Sequence, residues 1–196
     1  MFYKLVILVF RFYFFFLLNI KVKGMENISH EGAAILVANH PSLLDGPLLA
    51  AVIRRRLYPF AKIEVFNTRI KRWFLKRMGG IPVRLEKFSR AFVIETKNKL
   101  NDNNLLLLFP EGKINEENKL GEFNYGFVKL AQRYNVPIIP IAIRGTEKSL
   151  SKSDKFPGPA DVTVTISTPI IYGKEKLSMD EIRIKAEKIR KEIEII

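Results

Sequence analysis

Two short runs of consecutive apolar residues constrain the fold of this chain most: AAILVA at 33–38 and LLLLF at 105–109. A strand with one solvated face alternates apolar and polar residues, and these runs do not alternate. Each run is also short and ends in turn-forming residues, which favours a strand over a buried helix. They therefore predict central strands of a sheet that is covered on both faces.

Strand and helix patterns alternate along the rest of the chain. VPIIPIAI at 136–143 and DVTVTI at 161–166 predict two more strands, and Pro140 places the first near an edge or a bulge. Ser178 and Glu181 form a capping-box pattern at the start of the last helix. Helical periodicity predicts helices at about 44–54, 68–78, 89–101, 124–134 and 179–194. This alternation predicts an α/β fold, a mixed sheet flanked by helices.

The first 24 residues predict a membrane-anchor helix, followed by one α/β domain at 25–196. About 18 of them are nearly all apolar, and as a helix they would extend roughly 27 Å, close to the thickness of a bilayer core. Lys4 and Arg11 are seven residues apart and lie on one side of that helix. This favours a helix lying in the membrane interface over a true span or a buried core helix. No small-residue cleavage site follows, so a signal peptide is not expected.

A second membrane-binding pattern lies at 68–78, TRIKRWFLKRM. On a helix, its apolar residues share one face and its basic residues share another, as in helices that bind a membrane surface. The alternative is a core-packed helix whose charged face is solvated. The predicted membrane-contacting residues, in the two helices together, are Phe10, Phe14, Arg72, Trp73 and Phe74.

The formal charge of +13 lies almost entirely in one half of the chain. Residues 1–100 carry 18 Lys and Arg against 6 Asp and Glu, whereas residues 101–196 carry 15 against 14. Such asymmetry predicts an anionic partner: nucleic acid, a phospholipid surface or a phosphorylated substrate. The aromatic residues concentrate in the N-terminal helix rather than among basic residues of a groove, which favours a membrane over nucleic acid. With no cysteine and two histidines, neither a disulfide framework nor a thiolate or His-rich metal site is expected.

His40 follows the first apolar run, at a strand-to-helix connection of the kind where α/β sheets place their sites. Asp45 lies five residues further on, near enough for its carboxylate to accept the imidazole N–H. The other ring nitrogen would then act as a base toward a substrate hydroxyl, with no serine needed. The alternative is a hydrogen-bonded loop histidine, with Asp45 as a helix N-cap.

Glu111 and Gly112 occupy the polar turn after the second apolar run. At the same sheet edge as His40, Glu111 would either bind a polyol or hold a loop, and Gly112 would let the backbone approach a ligand closely. An ordinary strand-end turn is the alternative.

Three motifs in order, NHPSLLD, FPEG and VPIIPIAIRGT, resemble those of the glycerolipid acyltransferase family, which includes the 1-acyl-sn-glycerol-3-phosphate acyltransferases. The resemblance covers about 33–147 and includes FAKIEV, similar to the family's Lys-x-Glu segment, and GGIPV. Each motif alone is unspecific, whereas their order and separation are specific.

The resemblance implies a glycerol-phosphate-acyltransferase-like fold and a role for each motif. His40 would be the general base and Asp45 its orienting partner, so that an acceptor hydroxyl attacks the thioester of acyl-CoA or acyl carrier protein. Glu111 and Gly112 would bind the glycerol phosphate, and residues 136–140 would support the acyl-donor side. The resemblance implies no metal and no organic cofactor. The other implied partners are a lysophospholipid and membrane phospholipids at the cytoplasmic face, without nucleic acid.

The sequence departs from the family pattern where family members usually carry arginines that hold the acceptor's phosphate. Lys113-Ile114-Asn115 replaces the usual Thr-Arg-Ser, and Leu85 stands where an arginine is usual. Arg84 is one position earlier, which on a strand is the opposite face. The candidate substrate-binding cations are therefore Lys62 of the Lys-x-Glu segment, Arg84, Lys113 and Arg144.

The run FPEGKIN is similar to the tafazzin branch, which moves acyl chains between phospholipids and lysophospholipids. The leading expectation is acyl transfer to lysophosphatidic acid, making phosphatidic acid. The alternatives are a lysophospholipid acyltransferase or transacylase with another headgroup, and a catalytically idle lipid-binding protein. The intact His40, Asp45 and Glu111 argue against the last.

Overall fold

The computed structural model describes residues 1–84, 89–115, 120–151, 153–173 and 177–196. Short 3₁₀ turns follow β1 and β3. The helices and strands, in chain order, are α1 Phe2–Leu17, β1 Leu18–Lys23, β2 Ala34–Ala38, α2 Asp45–Val52, β3 Leu57–Lys62, α3 Arg69–Arg77, β4 Ile81–Val83, α4 Arg90–Asn101, β5 Leu105–Leu108, α5 Gly126–Tyr134, β6 Ile138–Arg144, α6 Thr146–Ser149, β7 Ala160–Ile166 and α7 Met179–Ile195.

The strands form one seven-stranded sheet in the order β1-β7-β6-β2-β5-β3-β4. The β6–β7 pair is antiparallel and the other pairs are parallel, so the sheet is mixed, as predicted. Every residue of β2 and β5 is buried, which confirms that the two apolar runs are central strands. Because β2 has the parallel neighbours β5 and β6, the carboxyl ends of these three strands meet at one edge of the sheet.

Alternate residues of the central strands face two hydrophobic cores. Leu36 packs on the face covered by α1 and α2, whereas Ile35 and Val37 pack on the face covered by α4, α5 and α7. The predicted capping box of α7 is present at Ser178 and Glu181.

Pro140 lies in β6, an interior strand, so the predicted edge position is wrong and the bulge is confirmed. Ile138 pairs with Ile170 and Ile141 with Ile166, which leaves one extra residue on the partner segment opposite Pro140. The carbonyl of Pro140 accepts from the Ser167 N–H on this side at 2.9 Å. Proline has no N–H to return, and the bulge accommodates that loss.

The N-terminal helix is shorter than predicted and belongs to the domain. It ends at Leu17, and Leu18–Lys23 forms β1, which pairs in parallel with β7. The alternation of LNIKVK, with two β-branched residues, explains the change from helix to strand. The predicted boundary between residues 24 and 25 therefore lies beyond a strand of the sheet. Within the described residues, no helix is both long enough and apolar enough to cross a membrane.

Candidate active site

The pair predicted from the sequence is formed at the carboxyl end of β2. His40 Nδ1 lies 2.7 Å from Asp45 Oδ2, and Asp45 is the first residue of α2. The Asp45 side chain is fully buried, whereas that of His40 is 18% exposed. Pairing with a carboxylate places the proton of the neutral imidazole on Nδ1 and leaves Nε2 as the basic nitrogen. Asp45 is not the N-cap of α2, because Leu44 occupies that position.

The Asp45 carboxylate accepts hydrogen bonds from three donors within the described residues. Besides His40, the Ser42 N–H donates to Oδ2 at 2.8 Å and the Thr146 hydroxyl donates to Oδ1 at 2.6 Å. Burial raises the pKa of the Asp45 carboxyl above its ordinary value, and the hydrogen bonds from His40, Thr146 and Ser42 oppose that rise. These donors replace the water that burial removes.

The imidazole faces a large apolar cavity. The His40 ring stacks on Phe109, the first residue of FPEG, with 4.0 Å between ring centroids and 15° between planes. The cavity has a volume of about 720 Å³ and runs from His40 beneath α1. Among the residues that line it are Tyr3, Phe10, Leu57, Phe60, Leu107 and Phe127. Its volume is that of a small-ligand site, and its walls suit a hydrocarbon chain.

Glu111 holds the loop, the second of its two predicted roles. Its Oε1 accepts from the His40 N–H at 3.1 Å, and its Oε2 accepts from the Gly121 N–H at 2.9 Å and from Asn115 Nδ2 at 3.3 Å. The Asn115 N–H in turn donates to the His40 carbonyl at 2.8 Å. Both backbone groups of His40 are thus fixed by the FPEG turn and the residues after it.

Cations line the cavity together with Gly112. Among them are Lys62 and Lys113, two of the candidate substrate-binding cations, and Lys71 of α3, which was not a candidate. The sequence feature that could have indicated Lys71 is its position in the basic helix at 68–78. Ile114 also lines the cavity.

The predicted arginines do not join these lysines. The Arg144 guanidinium donates to the Glu194 carbonyl at 2.8 Å, because β6 ends beside α7 and the side chain extends toward that helix. Arg84 is exposed and is not among the described residues that line the cavity. Leu85 lies outside the described residues.

Two of the predicted membrane-contacting residues face the protein instead. Phe14 is 2% exposed in the core, and Phe10 stacks on it and lines the cavity. The helical period places them with Ile7 on the inner face of α1. The Arg11 guanidinium donates to the Ala51 carbonyl near the end of α2, at 2.7 Å, and the residue remains exposed.

The outer face of α1 and the apolar face of α3 are exposed. Trp73 is 50% and Phe74 36% exposed, and both contact Phe2 of α1 edge-to-face. Arg72 is exposed on the same short helix, which has no buried residue. The exposed apolar residues of α1 include Leu5, Leu8, Val9, Phe12, Phe15 and Phe16.

Comparison with known proteins assigns the family. The family model described as "Acyltransferase" matches residues 19–144, which include the His40–Asp45 pair and the FPEG turn. The chain belongs to the acyltransferase family. It is 30% identical over 169 residues to the chloroplastic 1-acyl-sn-glycerol-3-phosphate acyltransferase BAT2 of Brassica napus, covering 84% of this chain and 48% of that protein. It is 30% identical over 180 residues to the 1-acyl-sn-glycerol-3-phosphate acyltransferase of Saccharomyces cerevisiae, covering 88% and 58%.

The acyltransferase fold is shared with a solved structure. The crystal structure of the 1-acyl-sn-glycerophosphate (LPA) acyltransferase PlsC from Thermotoga maritima superposes with a TM-score of 0.79 and 27% identity. The match covers 98% of this chain and 78% of that one. The chain spans about half the length of the curated relatives that it matches. Among the described residues, no group of His, Cys, Asp and Glu is arranged to hold a metal ion.

Three polar residues of this candidate site were not predicted from the sequence. Asn39 exchanges two hydrogen bonds with the backbone of Ile143 and so ties the end of β2 to β6. Ser42 and Thr146 donate to Asp45. The available signals were their positions in NHPSLLD and at the end of VPIIPIAIRGT.

Proposed function

We propose that this protein transfers a fatty acyl chain from acyl-CoA or acyl carrier protein to the free hydroxyl of lysophosphatidic acid, making phosphatidic acid. The observation that carries the proposal is a His40 imidazole held by buried Asp45 at the wall of an apolar cavity that lysines also line. The names of the curated relatives and of the Thermotoga maritima structure support the same activity.

The proposed reaction needs one base and no covalent acyl-enzyme. His40 Nε2 takes the proton of the acceptor hydroxyl while its oxygen attacks the thioester carbonyl. The tetrahedral intermediate then expels the thiolate, which takes the proton from the imidazolium. Asp45 stabilises the imidazolium in between, and a positioned base of this kind contributes roughly 10²–10⁴ in rate.

The cavity supplies the binding free energy for the substrates. Each methylene of an acyl chain that leaves water for an apolar wall contributes about 0.8 kcal/mol. Lys62, Lys71 and Lys113 line the same cavity and are the candidate partners of the acceptor's phosphate. A phosphate monoester suits these cations, because lysine binds phosphate as a compact point charge.

A second candidate is a lysophospholipid acyltransferase or transacylase with another headgroup. The observation that favours it is Ile114, an apolar side chain that lines the cavity beside Lys113. It stands where the resemblance to the family leads one to expect an arginine.

We also propose that the protein binds the cytoplasmic face of a membrane through the apolar–basic surface, defined as the exposed apolar residues of α1 with Ile70, Trp73, Phe74, Arg69, Arg72 and Lys76 of α3. Exposed aromatic side chains beside cations suit an anionic lipid interface. Lys71, Phe74 and Leu75 of α3 also line the cavity, as does Met78 directly after this helix, so a lipid acceptor has a short path from such a surface to His40.

The test is acyl transfer from labelled acyl-CoA and acyl carrier protein to a panel of lysolipids in anionic liposomes. Wild type is expected to acylate lysophosphatidic acid, and His40→Ala to be slower by at least about 100-fold while it still unfolds in one cooperative thermal transition. His30→Ala is the matched control, because His30 is exposed outside the site. Transfer only to choline or ethanolamine lysolipids would select the second candidate. Undiminished transfer by His40→Ala would refute the proposed mechanism.

The same liposomes test membrane binding by flotation. Trp73→Asp is expected to lower the floated fraction, and high salt to lower it further by screening the basic residues. Ile184→Asp is the control, since Ile184 is 67% exposed on α7 and lies outside the apolar–basic surface. Equal flotation of the two variants would argue against this surface.

A further inference from the structure

The two oxygens of the Asp45 carboxylate are held by different parts of the chain. Oδ2 accepts from His40 and from the Ser42 N–H, both within five residues of Asp45. Oδ1 accepts from the Thr146 hydroxyl, 101 residues away, at 2.6 Å. Asp45 and Thr146 are both fully buried, so bulk water has no access to this hydrogen bond.

The fold delivers Thr146 to this place through a turn with a strict backbone requirement. Thr146 is the first residue of α6, immediately after β6, whose carboxyl end lies beside that of β2. The preceding Gly145 has φ +94°, and a Cβ there would lie 2.0 Å from the Asp161 carbonyl oxygen. Only glycine therefore allows the turn that brings the Thr146 hydroxyl to Asp45.

We infer that Thr146 is a positioning residue of the active site, which acts on His40 through the Asp45 carboxylate. A threonine hydroxyl has one proton to donate, and here the proton goes to Oδ1. This donation fixes the rotation of the carboxylate, so that Oδ2 remains directed at His40 Nδ1. It also stabilises the negative charge of a fully buried carboxylate. Without the hydroxyl, Oδ1 is a buried acceptor with no donor among the residues that the structure describes, and the carboxylate rotates or takes up a proton. Either change weakens its hold on the imidazole.

Two measurements test this role. The first, kcat, rests on the proposed acyl transfer. The second, the spectroscopic signal of the His40 imidazole proton, needs no substrate. Thr146→Val keeps the shape of the side chain and removes the donor. Thr146→Ala also removes the donor and cannot overfill the site. Thr146→Ser restores the donor without the methyl group. Ser149→Ala is the matched control. Ser149 is buried on the same helix, and its hydroxyl donates to the Gly158 carbonyl rather than to the His40–Asp45 pair.

The catalytic expectation is a kcat that falls about 10- to 100-fold in Thr146→Val and Thr146→Ala, the range of one charge-assisted hydrogen bond, with little change in KM. Thr146→Ser is expected to recover most of kcat, and Ser149→Ala to retain it. Thermal midpoints, recorded for every variant, separate a loss of positioning from a loss of folding. Equal kcat in Thr146→Ala and Ser149→Ala, or no recovery in Thr146→Ser, would overturn the inference.

The spectroscopic expectation concerns the Nδ1–H proton between His40 and Asp45. The chain has two histidines and His30 is exposed, so a protected downfield imidazole signal that is lost in His40→Ala belongs to His40. The signal is expected to shift or broaden in Thr146→Val and Thr146→Ala, and to stay unchanged in Ser149→Ala. Unchanged spectra would overturn the inference whatever the activity. If the Thr146 variants show the spectral change but the wild-type protein transfers no acyl chain, the proposed function is refuted and the positioning role of Thr146 stands.

Discussion

The His40–Asp45 pair and the cationic residues of the cavity are built differently. Asp45 is buried and receives hydrogen bonds from His40, Ser42 and Thr146, and both backbone groups of His40 are fixed. The ammonium groups of Lys62, Lys71 and Lys113 have no hydrogen-bond or salt-bridge partner in the part of the chain that the structure describes. The fold thus fixes His40 in place and leaves these three ammonium groups open to an anion, as the proposed roles of base and phosphate partners require.

The largest expected effect comes from a change in the rigid His40–Asp45 pair. Asp45→Asn should reduce kcat by on the order of 10³-fold, because the amide holds the imidazole without the charge that stabilises the imidazolium. The measurement is acyl transfer at saturating substrates. A rate within a factor of a few of wild type would show that the pair is not the base.

The stability of the same variant relative to wild type is expected to depend on pH. Burial raises the pKa of Asp45, so the folded protein binds a proton there at a higher pH than the unfolded chain does. Stability from this group is therefore fully present below the ordinary carboxyl pKa and is lost as pH rises through the raised value. Asn does not titrate, so Asp45→Asn does not lose this stability as pH rises. The midpoint of the variant minus that of wild type should therefore be more positive at pH 7 than at pH 4. A difference that does not vary with pH would contradict this.

A smaller effect is expected at Glu111, which acts on the backbone of the rigid side. In Glu111→Gln one carboxylate oxygen becomes an NH₂ group that faces an N–H donor, either of His40 or of Gly121. We expect kcat to fall about 10-fold with unchanged KM, together with a lower thermal midpoint. Glu122→Gln, an exposed change in the same loop, is the control. A rise in the acceptor's KM alone would assign Glu111 to substrate binding instead.

The smallest effect is expected on the cationic side and should appear in KM. Lys62→Met and Lys113→Met should each raise the KM for lysophosphatidic acid about 10-fold or less and leave kcat nearly unchanged, because the loss of one charge weakens binding. Arg144→Met should leave both constants unchanged, since its guanidinium binds the Glu194 carbonyl. A larger effect at Arg144 than at the lysines would place the anion elsewhere.

The parts predicted from the sequence share a physical origin, which is local pattern. The buried strands followed from apolar runs without alternation, and the His40–Asp45 pair followed from five-residue spacing across one turn. The wrong predictions concern residues whose burial depends on packing between segments that are distant in the sequence. Phe14 carries the same local signal as the exposed Phe15, and only packing against α2 and the sheet distinguishes them.

The sequence by itself determined the α/β class, the placing of His40 and Glu111 at one sheet edge, and the pairing of His40 with Asp45, because strand length, turn residues and short-range spacing act within a few residues. Only the tertiary structure decided that residues 18–23 join the sheet, that Arg144 extends toward α7, and that Thr146 reaches Asp45. These outcomes depend on which strands become neighbours. That choice is made by burying the whole sheet, and no local pattern encodes it.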